Sequence, residues 1–200
     1  MCIRDRGNAV TYCNGTLLAV ESWSTGGSFP CLIPQDAAWI SLNTGPGGGM
    51  VVDNLCIGSP FATNYCPANP NSTGGISIIS AIGSPSISAN DMLLSTTNLP
   101  SLSFGLYVVS MTQGFLMNPG GSTGNLCLGG VIGRYLPGMN SGSSGSITLA
   151  LDWTLGIPQG SSLVPAVLGD TWNFQLFHRD FVGGSATTNF SEGLSVTLAP

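Results

Sequence analysis

The chain has 200 residues, of which only 6% are charged, and its formal net charge at pH 7 is −5. This length suffices for one large β-sandwich, or for one domain of about 130 residues plus part of a neighbour. Four basic residues, none of them lysine, argue against nucleic-acid binding, which needs several cationic side chains on one face. Apolar runs stay below the roughly 18 residues of a membrane span. Short apolar runs separated by Gly, Ser, Thr and Asn are typical of extracellular β-proteins.

The first six residues, MCIRDR, do not resemble a natural start. They lack the apolar core of a secretory signal and are similar to a leader produced when sequencing-adapter DNA is translated at the edge of an assembled fragment. We therefore expect residues 1–6 to be non-native. The rest is expected to be the C-terminal part of a longer secreted bacterial protein whose signal peptide lies upstream.

Cysteine usage supports export. The spacing contains no CxxC pair of a zinc or redox site, so structural disulfides are favoured. The preferred bridge joins Cys66 to Cys127, because both lie beside turn-rich sequence in the same predicted domain. A second, weaker candidate joins Cys13 to Cys31, and Cys56 is left without an assigned partner.

Residues 7–58 predict a β-meander. Asn14 and Gly15 separate two β-prone runs in VTYCNGTLLAVESW, which is the turn chemistry of a two-residue hairpin. The stretches TYCNGTLLAV and GGGMVVDNLCIG resemble a hairpin and the closing strand of a laminin-G/concanavalin-like jelly roll. This resemblance implies that residues 7–58 are the last strands of a truncated β-sandwich.

The composition shifts to Pro, Asn, Ser and Gly over residues 59–75, which predicts a linker at 59–64, and residues 65–200 are expected to form the main domain. Its strand candidates alternate apolar and polar residues and are separated by Gly, Pro and Asn, which predicts an all-β, antiparallel β-sandwich without an amphipathic helix. The residue sets expected to share a face are Phe104, Leu106 and Val108, opposite Tyr107 and Val109; Ile147, Leu149 and Leu151; Trp172, Phe174 and Leu176; and Leu194, Val196 and Leu198.

Five ordered blocks of this domain carry a second resemblance: YCPANPNSTG, LPSLSFGLYVVS, GNLCLGGVIGRY, GDTWNFQLFHRD and TTNFSEGLSVTL. Together they resemble a β-rich module found near the C-termini of long secreted bacterial proteins. That family has no assigned activity. The resemblance therefore implies an architecture and an extracellular location, but no reaction.

Two stretches of the sequence match catalytic motifs, and each motif requires further residues or a particular local structure. His178-Arg179-Asp180 spells the H-R-D of a kinase catalytic loop, but the chain has no lysine for ATP phosphates and Ser185 stands where the motif needs asparagine. The kinase hypothesis is excluded.

The stretch GGSTG at 120–124 matches the G-x-S-x-G motif of α/β-hydrolases. Ser122 would be the nucleophile, followed by Asp152 or Asp170 and by His178. The motif works on a sharp turn from strand to helix. Because the sequence after GGSTG is Gly-rich and not helix-forming, we do not favour a hydrolase.

The carboxylates leave two further alternatives open. Asp152, Asp170, Asp180 and Glu192 could supply the acid pair of a glycosidase, although they are scattered along the chain. Calcium takes carboxylate and carbonyl oxygens from loops, and its candidate ligands near predicted strand ends are Asp53, Asp170, Asp180 and Glu192. We favour the simpler interpretation, in which these residues cap turns and pair with arginine. The expected cofactor is none, with calcium as the alternative.

The stretch TWNFQLFHRDF is therefore interpreted as a strand with a polar end. Its alternation places Asn173, Gln175 and Arg179 opposite the core-facing set. His178 continues the core-facing register, as a hydrogen-bonded residue at the strand end. Arg179 is expected to pair with Asp170 or Asp180.

Two classes of function remain. The first, which we favour, is a non-catalytic module of an exported protein, used for adhesion, for carbohydrate binding or as a structural spacer or cap. Its partners would be a polysaccharide or cell-surface glycan and upstream domains of the same chain. The second is an accessory fragment of a secreted, glycosidase-like hydrolase whose catalytic domain is missing. Candidate sugar-stacking aromatics are Trp23, Trp39, Tyr107, Tyr135 and Trp153.

Overall fold

The computed structural model describes the strand residues 2–5, 8–13 and 16–22 and all of residues 61–200. The chain divides into two compact units, 1–60 and 61–200. In the first unit, β1 (Cys2–Asp5), β2 (Asn8–Cys13) and β3 (Thr16–Ser22) form an antiparallel sheet in the order β1-β2-β3.

The β2–β3 pairing ends at Cys13 opposite Thr16, where the sequence predicts a two-residue hairpin turn. Strand β1 lies within the segment expected to be non-native and pairs with β2. The predicted turn residues Asn14 and Gly15 and the expected closing strand GGGMVVDNLCIG lie outside the described residues, as do the candidate residues Trp23, Cys31, Trp39, Asp53 and Cys56.

The second unit is all-β. Strand β4 begins at Ala62, so the structure places residues 62–64 of the expected linker inside this unit. Helical structure in residues 61–200 is confined to the three-residue 3-10 turns Pro119–Gly121 and Trp153–Leu155. The described residues contain no helix with the length and apolar character needed to cross a membrane. The strands are β4 (Ala62–Cys66), β5 (Ile78–Ile82), β6 (Leu93–Thr97), β7 (Phe104–Ser110), β8 (Thr112–Met117), β9 (Asn125–Gly129), β10 (Gly133–Arg134), β11 (Met139–Asn140), β12 (Ile147–Ala150), β13 (Ile157–Gln159), β14 (Ser162–Val164), β15 (Thr171–Val182), β16 (Ser185–Phe190) and β17 (Gly193–Thr197).

Two antiparallel sheets enclose the hydrophobic core of this unit. The larger, which we call the central sheet, has the order β10-β7-β15-β17-β4, and β11 and β16 add to β7 and β15 respectively. The smaller sheet has the order β12-β6-β5. Buried side chains of both sheets belong to one core cluster. This confirms the expected antiparallel β-sandwich class.

Strand β15 organises the central sheet. At 12 residues it is long enough to pair with β7 along one edge, while β17 and then β16 pair along the other. Trp172, Phe174 and Leu176 are buried in the core cluster, as the alternation predicts. Tyr107 and Val109 of β7 also lie in this cluster, whereas Phe104, Leu106 and Val108 do not. The remaining expected sets lie in it or pack against it, namely Ile147, Leu149 and Leu151 and Leu194, Val196 and Leu198.

The opposite face of the central sheet, which we call the outer face, is partly covered by the β8–β9 hairpin. A disulfide between Cys66 of β4 and Cys127 of β9, with Cα atoms 6.1 Å apart, connects the hairpin to the sheet edge. This is the pairing that the sequence favoured. Tyr65 reinforces it, because its hydroxyl donates to the Cys127 carbonyl at 2.7 Å. Burial raises the pKa of Tyr65 to about 12, so this phenol remains a donor at neutral pH.

Gln175 of β15 holds the β8–β9 hairpin against the central sheet by hydrogen bonds. Its side chain is fully buried and accepts a hydrogen bond from the Cys127 amide at 2.9 Å. Its amide nitrogen donates to the carbonyls of Asn125 and Ser191 at 2.9 and 2.8 Å. A polar residue in the middle of a sheet face therefore satisfies three backbone groups that the hairpin and the β16–β17 connection would otherwise bury unpaired.

Candidate functional site

Five buried polar side chains form a cluster at the end of β15, which we call the polar cluster. The loop between β4 and β5 supplies Asn71 and Ser77, strand β15 supplies His178 and Asp180, and β16 supplies Asn189. The fold brings these five residues together across as many as 118 positions of sequence, which is the separation of Asn71 and Asn189. The loop has little regular backbone pairing of its own, so these side chains hold it against the sheet.

The hydrogen bonds of His178 define its tautomer. Its Nδ1 lies 3.0 Å from the carbonyl oxygen of Arg179, and a carbonyl only accepts, so Nδ1 carries the proton. Nε2 then accepts from the Ser77 hydroxyl at 3.1 Å. Burial lowers the pKa of His178, opposed by the hydrogen bond to Arg179 and by the charge of Asp180. The imidazole is therefore neutral at pH 7.

Asp180 acts as an acceptor for the loop. Its oxygens accept from the backbone N–H of Ser72 at 3.1 and 3.2 Å and from that of Phe181 at 2.8 Å. The Asn189 amide lies 3.5 Å from Oδ2 and donates to the Pro70 carbonyl at 3.1 Å. Burial raises the pKa of Asp180, but hydrogen bonds from Ser72, Phe181 and Asn189 outweigh it and leave the pKa below its usual value.

The expected pairing of Arg179 with Asp180 is wrong. Neighbouring residues on a strand point to opposite faces, so Arg179 is exposed on the outer face while Asp180 is buried at the loop. The described residues also show no ion pair between Arg179 and Asp170. His178 is hydrogen-bonded and buried, as predicted. It is not at the strand end, because β15 continues to Val182 and His178 pairs with Gly105 on one side and Asn189 on the other.

Ser77 and His178 have the separation of a nucleophile and its base, but the surroundings do not suit nucleophilic catalysis. Both side chains are buried, with exposures of 1% and 0%. Asn71 also donates to the Ser77 oxygen at 2.9 Å, which occupies one of the two lone pairs of this oxygen. The polar cluster therefore leaves no room for an acyl substrate at the serine.

The hydrolase constellation considered from sequence does not assemble. Ser122 is buried at the end of a 3-10 turn, where its hydroxyl donates to the Thr188 carbonyl at 2.8 Å. Asp152 is exposed and accepts from the amide of Thr154 at 2.9 Å, which is a capping role. The hydrogen-bond partners of His178 are Ser77 and Arg179, so neither Ser122 nor Asp152 is bonded to the histidine.

The carboxylates considered for a glycosidase or for calcium lie at different places in the fold and have different hydrogen-bond partners. Glu192 accepts from the Asn64 amide at 3.1 Å, Asp180 accepts from backbone N–H groups that include Ser72 of the β4–β5 loop, and Asp170 is the last residue before β15. Within the described residues, no group of three or more His, Cys, Asp or Glu side chains is close enough to hold a metal ion.

The candidate aromatic platform is not present among the described residues. Tyr107 is 0% exposed, and its hydroxyl donates to the Ile147 carbonyl at 2.9 Å. Trp153 is 4% exposed, and Tyr135 packs half-buried against the core. Burial raises the pKa of both Tyr107 and Tyr135. Tyr107 and Trp153 therefore form part of the hydrophobic core, and Tyr135 packs against it.

The sequence analysis missed an apolar groove on the outer face, beside the β8–β9 hairpin. Its volume is about 340 Å³. Phe177 and Phe190 form one wall, with ring centroids 5.3 Å apart in an edge-to-face arrangement. The available signal was that β7 and β15 carry apolar residues on both faces, which indicates that both faces are covered in part. The lining residues are Leu106, Val108, Leu126, Ile132, Arg134, Phe177 and Phe190.

Two arrangements thus stand out, a buried polar cluster that holds a loop and an open apolar groove with one arginine. Comparison with known proteins finds no matching family model, no matching curated protein and no matching solved structure.

Proposed function

We propose that this chain is a non-catalytic module of an exported bacterial protein and serves as a structural spacer or cap. The observation that carries this proposal is that the side chains with catalytic potential are used internally. His178 is bonded to Ser77 and to a backbone carbonyl, and Asp180 accepts backbone amides. Export is supported by the disulfide and by the resemblance of the ordered sequence blocks to a C-terminal secreted module.

Carbohydrate binding and adhesion are the other activities of such a module. Sugar recognition by aromatic stacking would need exposed rings, whereas Tyr107 and Trp153 are buried. This burial favours the spacer or cap over a glycan-binding role for these residues. A catalytic role of the chain itself is a competing hypothesis, and it is supported by one distance, the 3.1 Å between Ser77 and His178.

The test uses the full chain, produced in an oxidising compartment. It is assayed on chromogenic esters and glycosides and on a panel of polysaccharides, each with and without calcium. We expect neither turnover nor glycan binding. The variant Ser77→Ala and its control Ser80→Ala, an exposed serine of β5, are assayed in parallel.

Turnover that Ser77→Ala abolishes and Ser80→Ala keeps would contradict the proposal and favour the hydrolase. Selective glycan binding in either calcium condition would contradict the spacer role and favour recognition of carbohydrate.

A further inference from the structure

The two arginines of residues 61–200 both lie on the outer face of the central sheet. Partners in an antiparallel pair share a face, so Arg134, opposite Val108, lies on the groove side. Arg179 follows Phe177 by two positions and therefore points the same way. Both arginines are exposed, and only Arg134 lines the groove.

Charge is segregated around this groove. Residues 61–200 contain five carboxylates, Asp91, Asp152, Asp170, Asp180 and Glu192. None of them lines the groove, and the described residues place neither arginine in an ion pair. An apolar cavity with a single cation at its edge is electrostatically complementary to a ligand that carries one negative charge and an apolar body.

The groove also limits the size and type of such a ligand. Its volume of about 340 Å³ is at the lower end of the range for small-molecule sites. Aliphatic and aromatic walls suit a hydrocarbon chain. One guanidinium matches a carboxylate in two parallel hydrogen bonds, and its single positive charge balances the single charge of that group.

We propose that this groove binds a small hydrophobic carboxylic acid, with the apolar chain against Leu106, Phe177 and Phe190 and the carboxylate paired with Arg134. This activity goes beyond the spacer role. It does not depend on that role, because the polar cluster takes no part in the groove.

The test is isothermal titration calorimetry of the full chain with hexanoate, octanoate and decanoate below their micelle concentrations, and with 1-octanol as the uncharged analogue. Each added methylene is expected to raise the affinity about fourfold. Loss of the charge-assisted hydrogen bonds predicts that octanoate binds Arg134→Gln about tenfold more weakly than the wild type. The affinity for 1-octanol should be the same in both proteins.

The matched control is Arg179→Gln, which removes the other arginine of the outer face. It should leave the octanoate affinity within about twofold of the wild type, since Arg179 does not line the groove. Equal losses in Arg134→Gln and Arg179→Gln, or affinities independent of chain length, would overturn the proposal and indicate nonspecific adsorption. Binding of a short apolar peptide with a free C-terminus in place of octanoate would overturn it in favour of a peptide site. None of these outcomes changes the expectation of a non-catalytic module, which the turnover assays test separately.

Discussion

Ser77 donates a hydrogen bond to Nε2 of His178 at 3.1 Å, across 101 positions of sequence. Both side chains are buried, and Asn71 completes the chain of hydrogen bonds by donating to Ser77. The three residues connect the loop before β5 to the end of β15. The same geometry that resembles a catalytic pair thus fastens a loop to the central sheet.

The stability of the protein is expected to fall as the pH drops below about 6.5, the pKa of histidine in an unfolded chain. Burial lowers the pKa of His178 in the folded state, so the unfolded chain binds a proton that the folded chain does not. The contribution is complete above this pH and is lost progressively below it. The free energy of unfolding in urea should be about 1 kcal/mol lower at pH 5.5 than at pH 7.5.

This pH dependence can be assigned because the chain contains one histidine. Burial raises the pKa of Glu192, which acts in the opposite direction, so the comparison is made in a Glu192→Gln background. A free energy that stays constant or rises between pH 7.5 and 5.5 in that background would show that His178 is not held neutral.

Replacing Gln175 by leucine should destabilise the fold by about 3 kcal/mol. The substitution leaves the Cys127 amide and the carbonyls of Asn125 and Ser191 buried without their partner, and each such group costs roughly 1–3 kcal/mol. Urea denaturation monitored by tryptophan fluorescence measures the change.

Gln113→Leu is the matched control, because Gln113 is an exposed glutamine of β8 whose amide donates to Asn173 at 3.1 Å. The free energy of unfolding of Gln113→Leu is expected to fall by no more than about 1 kcal/mol. Similar losses in the two variants would mean that Gln175 does not hold the hairpin.

Removal of the disulfide in the double variant Cys66→Ala and Cys127→Ala should cost about 4 kcal/mol. The bridge closes a loop of 61 residues, and the chain-entropy model gives a stabilisation of this size for such a loop. The denaturant midpoint of the double variant should match that of the reduced wild-type protein. A denaturant midpoint equal to that of the oxidised wild type would show that the disulfide does not stabilise the fold.

Much of the fold could be predicted from residue patterns, because alternation encodes which side of a strand faces the core. Trp172, Phe174 and Leu176 were assigned correctly on this basis, and the Cys66–Cys127 bridge followed from the turn-rich sequence around both cysteines. The pairing of Arg179 was predicted wrongly with respect to Asp180, although the same alternation separates the two residues by face.

The candidate site was harder to predict, since its members are brought together by long-range pairing. Ser77 and His178 meet only after the loop folds onto β15, and no local motif marks that contact. The aromatic candidates Tyr107 and Trp153 are buried, whereas the exposed rings of the described residues include Phe104, Phe115 and Phe181. The groove depends on how far the hairpin covers the outer face, which strand patterns do not specify.

The central claim, that the polar cluster has a structural role, is tested most directly by the unfolding free energy of Ser77→Ala against Ser80→Ala. Loss of the Ser77 hydroxyl leaves Nε2 of His178 and one N–H of the Asn71 amide buried without a partner, which predicts a destabilisation of about 2 kcal/mol. Ser80→Ala should change the free energy by no more than about 0.5 kcal/mol. An unchanged or increased stability of Ser77→Ala would contradict the account, because residues kept for activity are often those whose removal stabilises a fold.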